Sequence, residues 1–568
     1  MFVRKEETDE QITNLPVSLR NGRCAIMIGQ FSPQMSLHDV GSFFTLQLSE
    51  GSFFGQLAKA AAGGMFKDND FAGIEIYCED NGRPSVPPSQ LALLMLMQAH
   101  DGVSDARAVD SCMYDARYCA VLRQGIGDRL CSESTLRLFR AHLVINDNAK
   151  IMFRKSVDEA KRVGLLKGEA LKVATDTKPI EGRGAVEDTY NLLATGIGML
   201  VGALSKKAGK NKAEWMSEFG LGRYSQSSVK GSADIDWSDK EAKAGLLTEI
   251  VTDARKLLGM ANGQGKEVKA AADLLMKLLQ QDVEETTDGK PSAKIKEGTA
   301  KGRIPSATDP EVRHGRKSRS KRFNGHKAAI VTDIDSGIIV SLDVLSGDSA
   351  DSVGALELIE QAEEITGIKV AETSGDCAYG SGATRQEFKD KGRTLVAKVP
   401  QENENRGLFK KSEFTIDLEA NTVTCPAGHT PDSSTGSADG STTFHFDGHC
   451  TACPLRARCT TSKSGRSLTV HAQERILREA REYQSTPEGK AHLRKRVIVE
   501  NSLARLAHLG IGQARYIGRK RTRFQLAITC AVANLRRSWN WAWEQTVNSE
   551  VIGGPVGVIG QKMQPSAA

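Results

Sequence analysis

Between residues 83 and 145 apolar positions recur every three to four residues, the spacing of helices that bury one face. Arg83-Pro84 and Pro87-Pro88 stop whatever precedes them. Ser89 can cap LALLMLMQAH, Ser104 can cap DARAVDSCMYDARYC, and Ser132 or Ser134 can cap STLRLFRAHLV. Three short helices with tight turns predict a small bundle, either of helix-turn-helix type or plain helical packing. Residues 168–180 alternate weakly and reach Pro179, which predicts a strand carrying Asp176 at its end. Residues 187–290 return to the helical period, with AKAGLLTEIVTDARKLLGM and VKAAADLLMKLLQQ amphipathic. The polar, Gly/Pro-marked residues 284–310 predict a linker or surface loop.

From residue 324 the period becomes two. GHKAAIVTDIDSGIIVSLDVL predicts a hairpin of two apolar strands about an Asp-Ser-Gly turn. Residues 351–366 predict an amphipathic helix, and IKVAETSGD a short strand ending at Asp376. Strand, hairpin, helix and strand in that order predict a mixed α/β sheet. Residues 400–465 break the pattern with polar, Gly-rich sequence too hydrophilic to hold itself together by burial. Residues 470–546 return to helix, and a frayed tail follows from Gly553. There is no internal repeat.

The length, 568 residues, predicts three to four domains at about 150 residues each. No apolar run reaches the roughly 18–20 residues of a membrane span, and MFVRKEETDE has no signal-peptide core, so a cytoplasmic location is expected. The formal charge is only +6, so any nucleic-acid surface must come from local clustering. Two clusters exist. Residues 313–327 hold Arg313, Arg316, Lys317, Arg319, Lys321, Arg322 and Lys327 with no acid, and residues 515–523 hold Arg515, Arg519, Lys520, Arg521 and Arg523 with none. Strips of this kind suit a polyanion backbone.

Asp176 and Asp376 on strands project carboxylates from a rigid sheet. Glu500 lies in KAHLRKRVIVENSLARL, one helical turn after Arg496 and on a helix with Val497, Leu503 and Leu506 as its apolar stripe. Converging carboxylates are the hard oxygen donors that Mg²⁺ or Mn²⁺ takes, and a pair of such ions clamps the attacking and leaving oxygens of phosphodiester displacement. Of eleven cysteines, Cys425, Cys450, Cys453 and Cys459 crowd into one stretch, with C-x₂-C spacing at Cys450 and Cys453. Four thiolates close a tetrahedral zinc sphere, which makes the predicted site structural; His429, His445 and His449 are substitute ligands. The basic run LRARCTTSKSGRS beside them is a further candidate for DNA phosphates. Cys377, Glu181, Asp188, Asp333 and Asp335 read as packing, loop, helix-start and turn residues, and Tyr516, Phe524, Trp539, Trp541 and Trp543 as packing.

Five blocks in order resemble bacterial insertion-sequence transposases with a DDE domain and an InsH-type N-terminal domain. They are GRPSVPPSQLALLMLMQAHDGVSDARAVDSCMYDARYCAVL with STLRLFRAHL, TDTKPIEGRGAVEDTYNLL, TDPEVRHGRKSRSKRFNGHKAAIVTDIDSG, GDCAYGSGATR, and RKRVIVENSLARL with ARYIGRKRTRFQLAITCAVANLRR. Where related elements often carry a Tyr before the arginine and a Lys after the glutamate, this chain has Leu493 and Ala507.

The resemblance implies an α/β, ribonuclease H-like mixed-sheet core. Residues 1–150 would form a helical DNA-binding domain, 165–190 and 305–400 the first part of the core, and 191–304 a helical insertion and linker. A cysteine-rich zinc-knot insertion would follow at 401–468, the glutamate-bearing part of the core at 469–546, and a flexible tail at 547–568. It further implies a metal-dependent transposase, with Asp176, Asp376 and Glu500 as catalytic magnesium ligands. The partners implied are the double-stranded DNA of terminal inverted repeats and target, and a second copy in a homodimer at the nucleoid, with no membrane. A catalytically inactive DNA-binding protein, or a nuclease without strand transfer, is the alternative.

Overall fold

The computed structural model describes residues 26–31, 45, 47–74, 77–78, 83–146, 150–286, 292–318, 320–399 and 407–553. Arg319 and the tail beyond residue 553 lie outside the described residues. The chain divides into two compact units, one from Met1–Glu169, Ser336–Ile339 and Ala527–Ala568, the other from Ala170–Asp335 and Val340–Leu526.

The first unit is helical, with α1 Phe53–Ala62, α2 Pro88–Asp101, α3 Asp105–Tyr114, α4 Ala116–Leu122, α5 Glu133–Ile145 and α6 Ile151–Arg162. Ser104 caps α3 by accepting from the Arg107 N–H, and Ser132 caps α5 by accepting from that of Thr135. Ser89 does not cap α2. The helix begins at Pro88, whose missing N–H is harmless in a first turn, so Ser89 lies inside it. DARAVDSCMYDARYC is two helices, because Asp115 leaves helical geometry to cap α4 through the Arg117 N–H. The buried Arg140 of α5 donates to both carboxylate oxygens of Asp105 and to Gln98 Oε1, tying α5 to α3 and α2.

The second unit is built on a mixed sheet. Its strands are β1 Ala170–Glu181, the hairpin β2 Val283–Thr286 and β3 Ser292–Ile295 (separate from the main sheet), β4 Arg313–Arg316, β5 Arg322–Asp333, β6 Ile339–Ser346, β7 Lys369–Gly375 and β8 Thr394–Ala397. The main sheet runs β8-β7-β1-β5-β4, with β6 also paired to β5. β1 is parallel to β7 and antiparallel to β5. β5 is buried from Gly325 to Asp333, as its near-continuous apolar run requires of a strand covered on both faces. This mixed α/β arrangement fits a ribonuclease H-like core.

Between β1 and β4 the chain forms α7 Thr189–Lys207, α8 Lys240–Met260 and α9 Lys266–Asp282, which bury a centre of their own around Leu193, Ile197, Leu200, Leu247, Ile250, Leu275 and Leu278. Asp188 caps α7. The residues read as a linker are partly ordered by pairing: β2 and β3 form an antiparallel hairpin, and Arg303 grips Asp282 through two bonds of 2.5 and 2.8 Å.

After α10 Ala355–Thr366 and α11 Gly382–Asp390, the cysteine-bearing segment holds two small antiparallel sheets, β9 Thr415–Asp417 with β10 Thr422–Thr424, and β11 Ser433–Gly436, β12 Thr442–His445 and β13 Ser467–Val470. Contrary to the expectation from its hydrophilicity, this segment has an apolar centre. Phe409, Phe414, Val423, Phe444, Phe446 and Leu468 are sparse in sequence but converge. Four helices follow, α12 Glu474–Ser485, α13 Pro487–Arg494, α14 Val497–His508 and α15 Arg519–Gly553. α14 packs on β1 and β5, burying Val499, Leu503 and Leu506; Val497, expected in this stripe, is 53% exposed.

Candidate active site

Strand register brings the first two acids side by side. β7 pairs with β1 so that Ser374 faces Ala174; two residues further on come Asp176, still within β1, and Asp376, one residue past the end of β7. The two acids are thus neighbours, and the charge of Asp376 is felt at Asp176. Asp176 does not end its strand: β1 continues to Glu181 because β5 pairs with it along the whole way. Asp376 does mark a strand end. β7 stops at Gly375, and the Asp376 carboxylate accepts the Ala378 N–H at 2.8 Å. The turn is tight against Tyr379. A Cβ on Gly375 would lie 2.8 Å from the Tyr379 side chain, so only glycine fits.

The third acid arrives on α14. Arg496 Nη1 donates to Asp176 Oδ2 at 3.1 Å and its Nη2 to Glu500 Oε1 at 2.5 Å, so one guanidinium joins the first and third acids. Asp176 Oδ1 also accepts the Thr177 N–H at 2.7 Å. Burial pushes the Asp176 carboxyl up to about 6, and the charges of Asp376 and Asp351 add to it, while the Thr177 N–H and Arg496 work the other way. The α13 helix, just before Arg496, is pinned to β7 by His492, whose Nε2 lies 2.6 Å from Glu372 Oε1 and whose Nδ1 lies 2.7 Å from the Tyr483 hydroxyl.

Three neighbours of these acids escape a reading of the sequence. Asp351 precedes α10 and accepts from Lys327 Nζ at 2.7 Å. Tyr379 is buried, its hydroxyl 3.4 Å from Thr175 Oγ1. Lys178 lies two residues after Asp176 on the same strand face; the period-two pattern could have found it.

The basic strips divide. Arg316, Lys317, Lys321 and Arg322 are exposed at the tip joining β4 to β5, where Arg316 pairs with Arg322. Lys327 is buried instead, its ammonium shared between Asp351 and the Ser349 carbonyl. Arg313 donates to the carbonyls of Pro310 and Val312. In the second strip Arg519 pairs with Glu311 and Arg523 with Asp343, while Arg515, Lys520 and Arg521 lie on the same stretch. The N–H groups of Gly518 and Arg519, at the start of α15, are accepted by Asp309 Oδ2 at 3.2 Å and Glu311 Oε2 at 2.7 Å. Asp309 and His326 are fully buried, 4.0 Å apart, and neither ring nitrogen of His326 has a hydrogen-bond partner.

Cys425, Cys450, Cys453 and Cys459 line one cavity of about 20 Å³, together with His429 and His449. That is room for about one water-sized particle. Cys450 Sγ accepts the Arg466 N–H at 3.4 Å, the rings of His429 and His449 stack, and His449 Nε2 lies 3.1 Å from Asp432. His445, a substitute ligand by sequence, instead lies beside Thr435 and Ser467 hydroxyls. Two arginines of the adjacent basic run are engaged by backbone carbonyls, while Arg458 is exposed. Arg456 donates to the carbonyls of Cys450, Ser462 and Lys463, and Arg466 to those of Cys459 and Phe409.

Among the described residues no group of three or more His, Cys, Asp and Glu side chains stands as a ready metal site. The Arg496 guanidinium lies between Asp176 and Glu500, and Cys450 and Cys459 belong to the apolar centre with Phe409 and Phe446.

Residues 424–539 match the family described as Transposase DDE domain, and residues 67–142 match the Transposase domain (DUF772). The first match takes in all four clustered cysteines, Arg496 and Glu500, and the second takes in helices α2 to α4 and most of α5. No curated protein and no solved structure matches the chain. No helix among the described residues is long and apolar enough to cross a membrane.

Proposed function

We propose, from the premise that the two family matches support an insertion-sequence DDE transposase, that this chain cuts DNA at the ends of its own element and joins them to target DNA. The observation that carries the reading is the neighbouring pair Asp176 and Asp376, with Glu500 one guanidinium away from Asp176. The donor set suits divalent cations. Its groups are hard carboxylate oxygens, and Asp176 is held in an environment that disfavours its lone negative charge, the situation a dication relieves.

Asp176 and Asp376 would hold Mg²⁺ or Mn²⁺, with Glu500 completing the set once Arg496 turns from it toward a phosphate. Bound there, the ions would activate a water, and then the 3′-hydroxyl of the cut DNA end, and offset the charge on the leaving oxygen. The chain's own part is positioning. The sheet and the turn after β7 fix two carboxylates, α14 presents the third, and the exposed cations at the β4–β5 tip and at 519–520 receive the DNA backbone. The four cysteines would hold one structural zinc ion, closing a cavity of matching size. A homodimer bridging two element ends belongs to the same reading.

The test is incubation of purified protein with duplex carrying the DNA that flanks its gene, a target plasmid and Mg²⁺, beside Asp176→Asn and Asp376→Asn. Nicking followed by joining, lost in both variants, is expected. Cutting without joining supports a nuclease. Binding without cutting by the wild type supports a DNA-binding regulator. Cutting that persists in both variants removes the proposed site. Elemental analysis of protein purified without added metal should find about one zinc per chain; none, with all thiols titratable, removes the zinc.

A further inference from the structure

Asp176 is held within β1, but Asp376 lies one residue past β7, so the turn that follows decides where its carboxylate stands. The register that pairs Ser374 with Ala174 brings Gly375 beside Thr175, on the sheet face turned away from Asp176. Gly375 leaves that face bare. The chain then turns through a short 3₁₀ helix, Cys377–Tyr379, which lays the Tyr379 side chain against the bare position. A Cβ on Gly375 would stand 2.8 Å from both Cβ and Cγ of Tyr379. The ring is buried, and its hydroxyl reaches across to β1, where the buried Thr175 Oγ1 donates to it at 3.4 Å. The Tyr379 N–H closes the turn by donating to the Asp376 carbonyl at 3.2 Å.

The far end of the turn is clamped as well. A Cβ on Gly380 would collide with the Lys398 carbonyl oxygen, so the chain lies close against the end of β8. The buried Arg385 of α11 donates to the carbonyls of Gly380 and Ala397. The turn thus rests on β8 at one end, and at the other Tyr379 ties it to β1, the strand that carries the first acid.

We propose that Tyr379, through Thr175, sets the separation of the Asp176 and Asp376 carboxylates and so tunes their joint grip on a divalent cation. The inference rests on the transposase reading above and adds to it two positioning residues that act through the acids. A small dication takes carboxylate oxygens at about 2.1 Å in a nearly fixed geometry, so a displacement of about 0.5 Å in one of them is felt. A turn released from β1 would have to be ordered by the ion itself, and the affinity would fall by that cost.

The experiment measures Mn²⁺ binding to the full chain by titration calorimetry, taking the binding that Asp376→Asn abolishes. It also measures cutting of the flanking-DNA duplex against Mn²⁺ concentration. Tyr379→Phe keeps the ring and loses the hydroxyl, and Thr175→Val loses the donor. Each should weaken Mn²⁺ binding about 3–10-fold, the worth of one buried hydrogen bond. The double variant should bind no worse than the weaker single, because both remove one contact. Thr175→Ser, which keeps the hydroxyl, should bind as the wild type does. The Mn²⁺ concentration for half-maximal cutting should rise by the same factor, while the rate at saturating Mn²⁺ changes by less than about 3-fold. Leu247→Ala, in the apolar centre of the helical excursion, is the stability control: it should melt earlier and bind Mn²⁺ normally. If Tyr379→Phe and Thr175→Val bind Mn²⁺ as the wild type does, or Leu247→Ala weakens binding as much, the proposal is overturned and the transposase reading stands. If the wild type neither binds Mn²⁺ nor cuts, the transposase reading fails and the proposal falls with it.

Discussion

Asp376 lies beside Asp176 because it directly follows the last residue of β7, Gly375, two positions past the Ser374–Ala174 pairing. Asp176 is held by its ladder with β5, and Asp376 by the turn in which its carboxylate accepts the Ala378 N–H, an acceptor role that asparagine keeps. Asp376→Asn should therefore leave the fold intact and lower Mg²⁺-dependent cutting by about 100-fold or more, since each several kcal/mol of lost charge stabilisation costs at least that. A nicking assay with a thermal-melting control checks it, and cutting within a factor of three of the wild type would contradict it.

The raised Asp176 carboxyl predicts a pH effect with a definite sign. Its pKa is about 6 in the folded chain, against 3.8 ordinarily. The folded chain thus binds the proton more tightly than the unfolded chain, so metal-free stability falls as pH rises through this window and stays low above it. Asp176→Asn, which keeps an oxygen acceptor for Arg496, should raise metal-free stability at pH 7 by about 1–3 kcal/mol and make little difference at pH 4. Urea unfolding at both pH values measures it. An equal effect at both would show that charge is not the cause.

Arg496 bridges two acids, but Glu500 is half exposed, so the bridge adds little to stability. Arg496→Ala should change unfolding free energy by no more than about 1 kcal/mol and yet reduce cutting about 10-fold or more, because the α14 acid loses its guide and the DNA loses a cation. Arg496→Lys should recover only part of this. A variant that melts early and cuts normally would assign Arg496 to the fold alone.

Asp309 joins two distant parts of the second unit. It accepts the Gly518 N–H at the head of α15 and stands beside the buried His326. Asp309→Ala should cost about 1–3 kcal/mol, through the lost acceptor for the Gly518 N–H and the space opened beside the buried His326. Chemical denaturation checks this, and a loss under about 0.5 kcal/mol would be too small for a buried role.

Local pattern made some of this legible. The period-two run around Asp176 and the short apolar run before Asp376 announced their strands, and the Arg496–Glu500 spacing announced a shared helix face. What pattern does not carry is register. That Asp176 sits inside its strand follows from β5, whose pairing extends to Glu181. Lys327 looked like its basic neighbours, and only the fold reveals that its strand position is buried and that Asp351, far along the chain, meets its charge. The cysteine segment misled in a similar way. Its composition is hydrophilic, but a few phenylalanines suffice when two small sheets bring them together.

The helical excursion between β1 and β4 has a consequence for how the molecule assembles. β1 leaves the ribosome early and must wait for β5, its antiparallel neighbour, until the whole excursion has been synthesised. A slack tether of that length would add to the entropy of ring closure, though only logarithmically. Here the excursion condenses around its own apolar residues, and Arg303 at its exit clasps Asp282, which in turn accepts from Thr189 at its entrance. The ends of the excursion are thereby tied together, which shortens the effective loop that the pairing of β5 with β1 has to close.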